Sequence, residues 1–156
     1  MRRLLVSLIP LLFAVFAAPA APQGREVPYW ATLRAAEVNM RVGPSEAFPI
    51  EWVYRRAGLP VKVVRVREGW RLVEDPDGES GWIAARLLSP DRGAIVVGEG
   101  LAELREGPDA GSRVLWRAEP GVVGALGPCS ERGCEFDVGG RKGWVSAARL
   151  WGAGDP

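Results

Sequence analysis

The chain repeats itself, and this limits its fold more than any other feature of the sequence. Val38-Asn39-Met40-Arg41-Val42-Gly43-Pro44-Ser45 returns as Ala102-Glu103-Leu104-Arg105-Glu106-Gly107-Pro108-Asp109. Ile50-Glu51-Trp52 returns as Val114-Leu115-Trp116, and Gly81-Trp82-Ile83 as Gly143-Trp144-Val145. The anchors keep their order, so one unit is written twice. The interval from Trp82 to Trp144 is two residues shorter than that from Gly43 to Gly107. Such trimming is expected in a turn, and Asp75 to Ser80 against Gly139 to Lys142 is the expected place. The copies run over 28–90 and 93–152. Ser89-Pro90-Asp91-Arg92-Gly93 joins them and reaches at most about 18 Å, which predicts that they sit side by side.

The local pattern within each copy is strand and turn. Cys134-Glu135-Phe136-Asp137-Val138 alternates, placing Cys134, Phe136 and Val138 on one face and both carboxylates on the other. The doubled Val63-Val64 in a β-branched run predicts a bulge. Glycines divide these runs at turn positions, and only a short piece around Ala84 to Leu88 has a helical period. The expectation is an all-β chain of two small, strongly bent barrels in tandem.

Ahead of the repeats, Met1-Arg2-Arg3 and the apolar run from Leu4 to Ala18 lead to Ala18-Pro19-Ala20. A basic start, an apolar stretch and small residues are the three parts of a secretory signal peptide, expected over 1–20, with 21–27 as a short linker. The apolar run falls short of the ~20 residues that span a bilayer, so a retained anchor is the lesser alternative and no stable membrane insertion is expected after cleavage. The expected location is secreted or periplasmic. Cys129 and Cys134, separated by a turn-like Ser-Glu-Arg-Gly, fit a disulfide formed in such a compartment.

The order of motifs resembles the bacterial SH3-like domain family, whose pattern runs L-N-V-R-x-G-P-S, a turn, G-W, then G-W-V and a final leucine. Asn39, Arg41, Gly43, Pro44, Trp70 and Trp82 carry the likeness in the first copy. Arg105, Gly107, Pro108 and Trp144 carry it in the second. The second copy departs at Glu103, in place of Asn, and at Cys134, read as standing at the first Trp. Trp70 and Trp82 are expected to fill a core too small for aliphatics alone. Cys134 is then expected to replace a core Trp with a cross-link. Asn39 is expected to hold the loop that follows it. The resemblance implies non-catalytic modules of exported proteins, some of which bind peptidoglycan peptides.

Composition trims the function classes. Twenty Lys and Arg against 19 Asp and Glu leave no basic field for nucleic acid. The absence of histidine removes His-dependent triads and most zinc sites. Glu74, Asp75, Asp77 and Glu79 lack the calcium-loop spacing and read as a solvated turn. Val96 to Gly100 holds G-x-G without the helix start of a nucleotide site, so no cofactor is expected. The acids are too scattered for a carboxylate-dependent hydrolase, the remote alternative.

The candidate ligand residues are Tyr29, Trp30, Trp52, Tyr54, Arg55, Arg56 and Trp116. Tyr29 and Trp30 are neighbours on a strand and point to opposite faces, so both are not expected to be buried in one barrel. An exposed aromatic beside Arg55 and Arg56 suits a peptide or glycan that carries carboxylates. Two readings stand side by side. In one, these residues bind a cell-wall peptide or an envelope protein. In the other, the aromatics form the contact between the copies, Trp52 and Trp116 are buried, and the protein is a structural adaptor.

Overall fold

A computed structural model describes residues 25–156. The expected leader over 1–20 and most of the linker over 21–27 lie outside the described residues. The first repeat contains β1 (Tyr29–Leu33), β2 (Val38–Arg41), β3 (Ile50–Tyr54), β4 (Pro60–Arg67), β5 (Trp70–Glu74), β6 (Ser80–Ala84) and β7 (Leu88–Ser89). The second contains β8 (Gly93–Val96), β9 (Ala102–Arg105), β10 (Val114–Ala118), β11 (Val123–Ser130), β12 (Gly133–Val138), β13 (Arg141–Val145) and β14 (Leu150–Trp151). One 3-10 turn precedes the last strand of each repeat, Ala85–Leu87 and Ala147–Arg149. Among the described residues there is no α-helix. The first sheet runs β3-β2-β6-β5-β4-β1-β7, and the second runs β10-β9-β13-β12-β11-β8-β14 in the same sequence of equivalents. The fold class is all-β, two SH3-like barrels in tandem.

Period-two burial builds both cores. Val38 and Met40 of β2 are buried while Asn39 and Arg41 are partly exposed. On β12, Cys134 and Phe136 face inward and Glu135 and Asp137 outward, as their alternation predicts. The expected bulge falls between Val63 and Arg65. Where the first core has Val73, the second has Phe136, and neither side chain is accessible.

Three expectations need correction. The two-residue trimming is split between two turns. The register Glu74↔Ser80 against Asp137↔Lys142 accounts for one residue in the hairpin. The other falls between β3 and β4, where the connection to β11 is one residue shorter in the second repeat.

The position of Cys134 also differs. Cys134 pairs with Val145 as Arg71 pairs with Ile83, so it stands at the place of Arg71 and not of Trp70. The Cys129–Cys134 disulfide therefore replaces the cross-strand pair Val66–Arg71, with a Cα–Cα distance of 4.0 Å.

The motif tryptophans do not join the central clusters of the two cores. Trp82 is buried as expected, but on the face of β6 opposite Ile83 and outside the first core cluster, and Trp70 is only half-buried. The first core is built from Ala31, Leu33, Val38, Met40, Tyr54, Val61, Val63, Val73 and Ile83.

The repeats meet through the outer faces of equivalent strands. Ile95 and Val123 of the second repeat pack against the first core cluster. Trp30 sits edge-on against Trp151, with ring centroids 4.7 Å apart, and its indole N–H donates to the Gly154 carbonyl at 3.0 Å. Arg56 donates to the Gly121 carbonyl at 2.6 Å, and Arg92 to the Gly152 carbonyl at 2.7 Å. At Gly93 the contact is too close for a side chain, since a Cβ would lie 2.7 Å from the Gly58 carbonyl oxygen and from Thr32 Cγ2.

Candidate functional site

The strands sort the seven ligand candidates into different environments. Trp30 is 6% exposed because the C-terminal segment of the second repeat covers the outer face of β1. Alternation does place Tyr29 and Trp30 on opposite faces, but the neighbouring repeat supplies the second burial site that one barrel lacks. Tyr29 is half-buried against the first core and accepts a hydrogen bond from Arg71 Nε at 3.0 Å. Arg55 pairs with Glu37 at 2.9 Å on the open surface, and Arg56 is spent on the contact between the repeats. The structure therefore does not gather these residues into one face.

It does gather Trp52, Tyr54 and the β5–β6 turn. Trp52 pairs with Met40 in the β2–β3 ladder, yet it stands at the sheet edge and is 59% exposed. Tyr54, two residues along, is buried. Its hydroxyl donates to Asp75 Oδ2 at 2.9 Å and lies 3.4 Å from Met40 Sδ. Asp75 is itself buried, contrary to the reading of its segment as a solvated turn. Its Oδ1 accepts the backbone N–H groups of Asp77 at 3.0 Å and Glu79 at 2.9 Å, which fixes the turn. Burial, and next the hydrogen bond to the Asp75 carboxylate, push the Tyr54 hydroxyl far above the ordinary tyrosine range.

These residues line a groove of about 540 Å³ with Trp52 and Tyr54 as its aromatic wall. Glu51, Asp75, Asp77 and Glu79 are its charged members, and among the described residues no basic side chain lines it. Ile95 of the second repeat closes one end.

The second repeat has the same framework with different chemistry. Trp116 pairs with Leu104 as Trp52 pairs with Met40, and it is 46% exposed. The guanidinium of Arg141 lies over its ring, 5.5 Å from the centroid. Arg141 pairs with Val138 one step before Asp137↔Lys142, the counterpart of Glu74↔Ser80, so it occupies the place of Glu79. Leu115 stands for Glu51, Val138 for Asp75, and the Gly139-Gly140 turn for the turn that holds Asp77. The acids of the first groove have become neutral or basic in the second.

The motif residues build a different feature. Arg41 donates to the Phe48 carbonyl at 2.7 Å, and Arg105 to the Ser112 carbonyl at 2.6 Å, so this arginine ties down the Gly-Pro loop in both repeats. The arginine, not Asn39, makes that tie in the first repeat. Gly43 is required there because a Cβ would meet the Phe48 ring at 2.5 Å. In the second repeat, where Ser112 replaces Phe48, the Gly107-Pro108 loop and Trp144 border an open depression of about 650 Å³. Its arginines are already engaged: Arg105 with Glu103, Arg132 with Asp109, and Arg149 with the Val97 and Gly100 carbonyls.

Sequence reasoning passed over Trp151 and the exchange of Glu79 for Arg141. The signal for the first was a Trp after Leu150 where the first repeat has Ser89 after Leu88. The second needed the strand register, because the two hairpins differ in length.

Residues 34–90 and again 98–152 match the family described as Bacterial SH3 domain. No curated protein matches. Two solved structures are similar in outline. NlpC2 from Trichomonas vaginalis is 10% identical, with a TM-score of 0.36, covering 82% of this chain and 49% of that one. NlpC1 from Trichomonas vaginalis is 12% identical, with a TM-score of 0.36, covering 89% and 50%. The chain thus spans about half the length of these structures.

Proposed function

The chain belongs to the bacterial SH3 domain family, and on that premise we propose that it is a non-catalytic, exported binding module for a cell-envelope ligand, a peptidoglycan peptide or an envelope protein. The observation that carries this reading is the exposure of Trp52 at the mouth of a groove, while other aromatics make the contact between the repeats. A structural adaptor would use Trp52 and Trp116 to join its barrels. Here Trp30 and Trp151 meet instead. An open Trp costs solubility and contributes nothing to the core, so a ligand gives it a purpose.

Export agrees with the Cys129–Cys134 disulfide, with the apolar leader of the sequence, and with the lack of any helix among the described residues long and apolar enough to cross a membrane. Binding without chemistry agrees with the family. It also agrees with a site whose buried carboxylate is committed to Tyr54 and two backbone amides.

A sedimentation assay on isolated sacculi at low salt tests the wall form of the proposal. The protein is expected to co-sediment, and Trp52→Ala to lower retention about tenfold with an unchanged melting temperature. Equal retention of the variant, or no retention of either protein, would reject it.

A further inference from the structure

We propose that the Trp52 groove receives a cationic side chain, a guanidinium or a primary ammonium, from an extended peptide, and that the second repeat has closed the equivalent site with its own Arg141. The inference deepens the binding role above and rests on it. The duplicated framework supplies the comparison. In the second repeat a guanidinium already lies over the exposed Trp, so this sheet edge accommodates such a group at cation–π distance. In the first repeat the residue at that position is Glu79, and no cation among the described residues lies over the Trp52 ring. Its groove presents carboxylates from Glu51, Asp77 and Glu79, with Asp75 beneath them. The second repeat holds the cation and keeps one acid, Glu119, beside its Trp, while the groove of the first is lined by four acids and no base among the described residues.

Charge complementarity therefore selects the occupant. An anionic peptide would meet like charge on every polar wall of the groove. A neutral one would leave the carboxylates without a partner. A cation would stack on the indole and be reached by carboxylates, two attractions that act on the same atom group. Arg55 and Arg56, expected from sequence to attract carboxylates here, are turned to Glu37 and Gly121.

The test uses the full mature chain with nitrogen-15 label, following the indole N–H signals of Trp52 and Trp116, assigned with Trp→Phe variants. The probe is the peptide acetyl-Gly-Arg-Gly-amide, with acetyl-Gly-Lys-Gly-amide as the ammonium form and the citrulline peptide as the neutral control. The arginine and lysine peptides are expected to shift Trp52 and leave Trp116 in place, with affinity falling as salt rises. The citrulline peptide is expected to bind at least tenfold more weakly. Glu79→Arg is expected to abolish the Trp52 response, and Arg141→Glu to add a Trp116 response. Both residues are exposed, so the fold survives either change. Equal response to citrulline, or an unchanged response in Glu79→Arg, would overturn the proposal. Sacculus binding without a cationic response would defeat this inference alone. A cationic response without sacculus binding would defeat the wall ligand and leave this inference standing.

Discussion

The two repeats share one strand order and differ in how each is held together. The first gives its barrel an aliphatic core and adds a buried polar pair, Tyr54 and Asp75, beneath an uncovered Trp. The second removes that pair, centres its core on Phe136, closes a hairpin with a disulfide, and lays Arg141 over its Trp. The first retains polar groups that cost desolvation and must be satisfied. The second replaces them with apolar packing and a covalent link, which favours stability. On the proposed function, the first copy is the one that recognises and the second the one that supports.

The largest test of this division is Phe136→Ala, expected to cost about 4 kcal/mol and to melt the second repeat first. Calorimetry would read it, and a loss no larger than that of Val73→Ala would remove the asymmetry. Trp30→Ala comes next at about 3 kcal/mol, because it strips the joint between the repeats. Its signature is the splitting of one thermal transition into two, and a single transition would mean that the barrels are coupled elsewhere. Reduction of Cys129–Cys134 is expected to cost about 2 kcal/mol, confined to the second repeat, because so short a loop gives up little chain entropy. An unchanged melting temperature would show that the link is ornamental.

The smallest effect is that of Tyr54→Phe, about 1 kcal/mol at neutral pH, since Asp75 keeps two backbone donors. Its value lies in the pH profile. The folded hydroxyl ionises at higher pH than in the unfolded chain, so its stabilisation is complete below about pH 10 and is lost as pH climbs beyond that. Wild type should therefore lose more stability than the Phe variant between pH 9 and 11, measured by urea titration. Parallel profiles would remove Tyr54 from the account.

The architecture was legible because two signals in the chain agree. The recurring anchors set the number of units, and alternation at Val38-Met40 and Cys134-Phe136 set their inward faces. The bulge at Val63-Val64 could be read from the letters alone. Three of the misreadings share one cause. The placing of Cys134, the splitting of the trimmed residues and the burial of Asp75 all depend on which residue faces which across a ladder. A slip of one reverses every side chain. Trp30 was misjudged for another reason. Its cover comes from Trp151 and Gly154 at the far end of the chain, a contact that no local pattern reports.

The joint uses corresponding surfaces, β1 and β4 on one side and β8, β11 and β14 on the other. The contact is nevertheless one-sided in its side chains, since Gly93 stands where β1 has Trp30 and Ser89 where β14 has Trp151. The indole that β1 presents thus has its seat on the second barrel alone, and exchanging the order of the two copies would leave that seat empty.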